Sequence, residues 1–274
     1  MSEETVNGTP EVTFSGNITQ NQIETPKSSQ GVFELPCGFI DSSGVLHREA
    51  HLREMSGREE DLLASPKMTP QKKINALLAA CTERIGSIVD RGQIQAVIPS
   101  LTQGDRVFVL VSLRRTTLGD ELPMEEECPE CKVKGNYIAD LGSLDVKPLA
   151  DPMKRVFDLT LPSGKTARFR LGNGNDEERI AKVADDEKPS MAFLCRLELL
   201  DGKPPSLMAV KSLGWRDRQE LRAAMEEQDG GLDSALDLTC PACGHDFQRD
   251  LDLGAQGFFF PARTQKGWKK RSST

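Results

Sequence analysis

The chain has 274 residues, enough for one or two domains with their own cores. Its 28% charged and 37% hydrophobic content is that of an ordinary water-soluble protein. A net charge of −7, one Tyr and two Trp argue against a general nucleic-acid binder, which carries a basic face or stacking platforms. No apolar run approaches the ~20 residues that cross a bilayer. The opening Met1-Ser2-Glu3-Glu4-Thr5 lacks the basic-then-apolar pattern of a signal peptide, and synthesis in a cytoplasm is expected.

Residues 1–30 are polar, without a hydrophobic period, and read as a disordered arm. Order begins at Val32-Phe33-Glu34-Leu35-Pro36-Cys37-Gly38, a short strand meeting a Pro/Gly turn, with a second strand over Val45 to His51. Gly57 to Leu63 suggests a short helix. Thr69-Pro70 is a helix start, and Ile74, Leu77, Leu78, Cys81 and Ile85 follow at helical spacing. Ile94 to Ile98 reads as a strand or extended connection. Thr102-x-x-Asp105 caps the next helix, although the β-branched run Val107 to Val111 leaves a buried strand open.

After Cys128-Pro129-Glu130-Cys131, Tyr137 to Leu141 reads as an exit strand, and Val146 to Pro152 as part of a linker. Phe157 to Lys165 echoes the opening strand and its Leu-Pro-x-Gly turn. Helices are expected from Asp176 to Val183, Pro189 to Leu199 and Trp215 to Glu227. Cys240-Pro241-Ala242-Cys243 and a strand over Phe247 to Leu253 follow, then Phe258-Phe259-Phe260 and the basic Lys266 to Arg271.

The two Cys-Pro-x-Cys knuckles lie 112 residues apart, and the sequence around them repeats at that offset. Ser100-Leu101 recurs as Ser212-Leu213, Asp105-Arg106 as Asp217-Arg218, Gly119 as Gly231, and Asp140-Leu141-Gly142 as Asp252-Leu253-Gly254. That is eleven identities in 43 ungapped positions, where ordinary residue frequencies give about three. The fold class expected is therefore α+β in two related halves, 31–145 and 157–256, joined by a linker over 146–156 and followed by a tail over 257–274.

Each CxxC turn presents two thiolates, so two turns complete a tetrahedral site. Cys128, Cys131, Cys240 and Cys243 are the candidate ligands of one structural Zn2+, with iron the other metal such a set can take. Two reduced pairs, or one redox-active CxxC, remain the alternatives. Four thiolates leave no open coordination position, so the metal would be structural, with His245 a lesser ligand candidate. Cys37, Cys81 and Cys195 read as buried free thiols.

His47 and His51 lack the Glu of a metalloprotease motif, Gly164-Lys165-Thr166 lacks the first glycine of a phosphate loop, and Gly172-Asn173-Gly174 is a turn without a dinucleotide-binding context. No catalytic constellation emerges, and no enzyme activity is expected. The acidic runs Glu125-Glu126-Glu127, Asp185-Asp186-Glu187 and Glu226-Glu227 read as solvated faces.

Glu34-Leu35-Pro36-Cys37-Gly38, then Arg53 to Leu63, Leu101 to Arg106, Leu113 to Gly119 and Cys128 to Cys131, taken in this order, resemble the baseplate protein family of T-even-like contractile-tailed bacteriophages, over about residues 32–255. The resemblance implies a non-enzymatic component or assembly factor of the baseplate hub. Its partners would be other tail proteins, in the host cytoplasm during assembly and in the virion tail if it stays there. Self-association is left open. The zinc is argued from cysteine spacing and not from the resemblance. Expected contact elements are the N-terminal arm, the Arg114-Arg115 end of its helix and Phe258-Phe259-Phe260, with core packing within the chain equally open for the aromatic triplet. The rival reading is a zinc-ribbon nucleic-acid or transcription module, which would need a coherent basic surface.

Overall fold

The structure, a computed structural model, describes residues 31–254 and 258–260. The expected N-terminal arm and the basic stretch Lys266 to Arg271 lie outside the described residues.

The chain is of mixed helix and strand content. Strands β1 (Gly31–Ile40), β2 (Leu46–Leu52) and β3 (Thr82–Ile85) form an antiparallel sheet in that order. Helices α1 (Gly57–Ala64) and α2 (Pro70–Cys81) connect β2 to β3. Then come α3 (Arg91–Val97), a 3-10 turn at Ile98–Ser100, the long α4 (Gln103–Leu118) and a two-stranded ribbon of β4 (Glu121–Glu127) and β5 (Lys134–Asp140).

After the short β6 (Val146–Lys147), a second three-stranded sheet holds β7 (Val156–Thr160), β8 (Thr166–Arg170) and β9 (Leu197–Leu200). Helices α5 (Gly174–Ile180) and α6 (Lys188–Arg196) connect β8 to β9. They are followed by α7 (Leu207–Lys211), α8 (Trp215–Gln228), β10 (Gly231–Leu232) and a ribbon of β11 (Ala235–Thr239) and β12 (Asp246–Asp250). β10 pairs with β6.

Apart from the 3-10 turns and the short β6 and β10, the order of strands and helices in the first segment recurs in the second, and local details coincide. Ala50 faces Ile85 and Ala167 faces Leu200, and in each sheet the register shifts after the next pair. The helix after the second strand opens on a capping box in both cases, Ser56 with Glu59 and Asn173 with Asp176. Each boxed acid is buried and meets the arginine that ends or follows the preceding strand, Arg53–Glu59 at 2.7 Å and Arg170–Asp176 at 2.7 Å. A reciprocal cap satisfies two orphan helix donors, and the arginine neutralises a carboxylate that burial would otherwise penalise.

Two apolar cores result, and each borrows from the other segment. The first gathers Leu35, Leu52, Leu77 and Leu110, and also Leu238, Phe247 and Phe258. The second gathers Phe157, Phe169, Phe193 and Leu221, and also Cys37 and Leu149. Between them the first turn of α4 crosses the backbone ahead of β10 so closely that a Cβ on Gly104 would lie 1.8 Å from the Gly230 carbonyl oxygen.

Some local expectations need correction. Ile94 to Ile98 is helical, because Asp90 caps α3 by accepting from the Gln93 amide. Val107 to Val111 lies within α4, a helix buried on nearly every side, so its strand-like composition reflects burial and not extension. Leu35-Pro36-Cys37-Gly38 does not turn. β1 continues to Ile40, with a register shift between Glu34 and Phe39 and Gly38 at φ +75°. Only the second Leu-Pro-x-Gly, Leu161 to Gly164, closes a hairpin. Leu197 to Leu199, expected to end a helix, opens β9.

Candidate metal centre

The ribbons β4–β5 and β11–β12 end in the two knuckles, and the turns share their construction. The Cys128 amide donates to the Val133 carbonyl and the Lys132 amide to the Cys128 carbonyl. Likewise the Cys240 amide donates to His245 and the Gly244 amide to Cys240. The residue after each second cysteine is left-handed, Lys132 at φ +61° and Gly244 at φ +74°, which folds the chain back so that both sulfurs point one way.

The ribbons pack on each other through Tyr137 and Phe247, edge to face at 5.7 Å. Arg249 adds a hydrogen bond to the Glu127 carbonyl at 3.0 Å and an ion pair with Glu126 at 3.2 Å. This docking brings Cys128 Sγ to 3.7 Å from Cys243 Sγ, and Cys131 Sγ to 3.7 Å from Cys240 Sγ. All four sulfurs lie within 4.8 Å of one another. A tetrahedron of thiolates around an ion with bonds of about 2.3 Å has edges of about 3.8 Å. The four predicted residues therefore converge on a site that can hold a metal ion, contributed equally by the two ribbons.

The site's electrostatics agree. Backbone amides of Cys243 and Ala242 hold the Cys240 thiol down to about 6. Cys243 goes the other way. The His245 amide favours its thiolate, yet desolvation and the three neighbouring sulfurs push it up to about 12. Four thiolates at these distances need a cation to coexist. His245 stacks on Phe247 at 6.4 Å and is outside the four-sulfur cluster.

The other sequence candidates do not join a site. His47 is buried, stacks on Phe39 and bonds Asp41 at 3.0 Å, while His51 bonds Glu49 at 2.6 Å. Cys37, Cys81 and Cys195 are buried, and burial pushes Cys37 and Cys81 up to about 12. Gly164 closes the β7–β8 hairpin, and Gly172 to Gly174 lead into the α5 cap.

Of the expected contact elements, the Arg114 end of α4 is corrected, and the first two rings of the aromatic triplet take the core-packing alternative. Arg114 is 2% exposed, donates to the carbonyls of Gly119 and Glu121, and faces Phe258 at 5.7 Å. Phe258 and Phe259 are buried in the first core, leaving Phe260 exposed.

Sequence reasoning did not give the aspartates of the repeat their role. Asp105 accepts from the Cys37 amide at 2.7 Å and Asp217 from the Ser163 amide at 3.0 Å, both buried. Each pins the Leu-Pro-x-Gly of its sheet to the first turn of its long helix. Burial raises Asp105 to about 6, against opposing help from the Cys37 amide, Thr102 and Arg155. The recurrence of Asp-Arg at the same offset was the available signal.

Among the described residues no helix is long and apolar enough to cross a membrane. No curated protein and no solved structure matches the chain. A family described as T4 bacteriophage base plate protein matches residues 42–195, a span that includes the first knuckle and ends in α6 ahead of the second. With more than half of its length matched, the chain belongs to the T4 bacteriophage base plate protein family.

Proposed function

We propose that this baseplate protein is a duplicated α+β unit stapled by one structural zinc, working in baseplate hub construction through protein contacts and not by turnover. The observation that carries the reading is the convergence of four sulfurs from two ribbons, within 4.8 Å, in a chain of the baseplate family. Four thiolates close a tetrahedral ion and leave no place for water or substrate. Zinc suits the set because it is tetrahedral without a redox cost. The staple joins residues 109 and 115 positions apart, so it fixes one ribbon on the other.

The duplicated reading is supported by the repeated element order, the matching capping boxes and the paired Asp105 and Asp217. The two units would be 31–145 and 157–256, with β6 in the connection between them. Around the knuckles acids outnumber bases, with Glu125, Glu126, Glu127, Glu130, Asp237 and Asp246 against Lys132, Lys134 and Arg249, which favours protein partners over nucleic acid. The partners are other tail proteins, met in the host cell during assembly.

The test is a phage carrying Cys128→Ser and Cys240→Ser in this protein. The expected result is infected cells that accumulate tail components without complete baseplates. Normal baseplates and normal yield from that phage would overturn the reading.

A further inference from the structure

The contact between the two halves has a donor side and an acceptor side, and the fold leaves one unused copy of each. In the used contact, the segment from β8 into α5 lies on the face formed by α2, the 3-10 turn and the start of α4. The Gln103 amide donates to the Gly172 carbonyl at 2.9 Å. Arg106 pairs with Glu177 at 3.0 Å and donates to Asn75 at 2.5 Å, and Asn75 donates to Glu178 at 2.5 Å. The approach is close enough that a Cβ on Gly174 would sit 2.5 Å from the Arg106 guanidinium carbon, so any side chain there would push the guanidinium from its seat.

The repeat places a matching acceptor in the second half. Arg218 takes the place of Arg106 and donates to Ser190 at 3.1 Å, as Arg106 donates to Asn75. Around it lies an open groove of about 410 Å³ lined by Pro189, Leu213, Trp215 and Arg222. Trp215, in the place of Gln103, is 73% exposed. Neither Arg218 nor Arg222 has a carboxylate partner among the described residues.

A matching donor stands free in the first half. Aligning the capping boxes puts Gly57, Glu60 and Asp61 where the second half has Gly174, Glu177 and Glu178. Glu60 and Asp61 are exposed and make no ion pair among the described residues. Among the described residues nothing lies within 4 Å of a Cβ built on Gly57. A glycine in a helix costs stability relative to alanine, and at Gly174 a close-lying guanidinium explains it. At Gly57 nothing among the described residues does.

We propose that the α1 end of one copy of this protein docks into the Arg218–Trp215 groove of another, repeating between chains the contact that joins the two halves within one. Glu60 pairs with Arg218 of the neighbouring copy, and Gly57 admits its guanidinium. Because donor and acceptor are different surfaces, the association is head-to-tail and gives a ring or an open string of copies. The inference rests on the duplicated-unit reading proposed above.

The test is sedimentation of the metal-loaded full chain over about 1–100 µM, a range that spans modest affinities. Wild type should associate with rising concentration. Gly57→Leu, which has open space around it, and Arg218→Glu should each weaken association at least about tenfold, the size of losing one charge-assisted contact. Mixing the two variants should restore a one-to-one dimer and nothing larger, since one retains the donor and the other the acceptor. Arg218→Glu combined with Glu60→Arg in one chain should recover association.

Wild type that stays monomeric, association untouched by either variant, or a mixture that fails to dimerise would each overturn the proposal. Zinc content and melting of the same samples report separately on the proposed function. A monomer with one zinc and a cooperative melt defeats only the association. A chain without zinc that still associates head-to-tail defeats only the staple.

Discussion

Removing one ligand from each knuckle, as Cys128→Ser with Cys240→Ser, should loosen the whole molecule and not the ribbons alone. A metal held by the four sulfurs would close a loop of 109 residues between Cys131 and Cys240. The chain-entropy relation assigns a loop of that length about 4.7 kcal/mol of stabilisation. Total stability of a folded domain is of the order of 5–15 kcal/mol. The proposed staple would thus be a large share of what holds the chain. The ribbon residues Leu238 and Phe247 belong to the first core, together with Leu110 from α4. Freeing the second ribbon therefore opens that core as well. At about 2–4 °C per kcal/mol for a chain of this size, the melting temperature should drop by roughly 10–20 °C. The assay is calorimetry of wild type, both single variants and the double variant, with zinc per chain measured on each. Because one centre needs all four sulfurs, either single variant should cost nearly as much as the double. Additive single effects, or a melt unchanged by strong chelator, would refute the shared staple.

Asp105→Asn should remove a pH dependence. The folded carboxyl is raised to about 6 from 3.8 in the unfolded chain, so the folded state binds more protons between those values and stability falls as pH rises. The fall attributable to Asp105 is about 2 kcal/mol between pH 4 and 7, and denaturant melts of wild type minus Asp105→Asn should show it. Glu59→Ala removes a carboxylate held at about 2 by Arg53 and Ser56 against the cost of its burial, and should cost about 3 kcal/mol near pH 7 by leaving Arg53 without its buried partner. That loss should fade only as pH falls well below 4.5, since a depressed carboxyl contributes above its unfolded value. Gly104→Ala should prevent a cooperative melt or lower it by several kcal/mol, because the new Cβ would stand 1.8 Å from a backbone oxygen. A melt like wild type would mean that the crossing of α4 with the residues before β10 is looser than described.

The parts legible in the sequence are those with a local cause. Thr69-Pro70, Thr102-x-x-Asp105 and the capping residues mark helix starts because the cap bonds lie within three residues. The Cys-Pro-x-Cys turns are local as well, and the need of tetrahedral metals for four ligands links them without any knowledge of the chain between. The recurring Asp-Arg was visible as a pattern, but its meaning was not. Asp105 meets an amide 68 residues away, and nothing near it in sequence names Cys37 as the donor.

Tertiary structure decided the rest, and for one reason: burial is set by what arrives from elsewhere. Val107 to Val111 carries strand-forming side chains, yet forms a helix because neighbours surround α4 on nearly every side. Leu35-Pro36-Cys37-Gly38 and Leu161-Pro162-Ser163-Gly164 share a pattern, but only the second turns, since β1 runs on to pair Phe39 with His47. Arg114, a surface cation by type, is buried because two carbonyls and the ring of Phe258 converge on it. Residue type and spacing determined the α+β composition, the helix starts and the four metal-ligand candidates. Which ribbon meets which, which arginine is covered and which left open depend on contacts 71 and 115 residues apart, where loop closure carries no local signature.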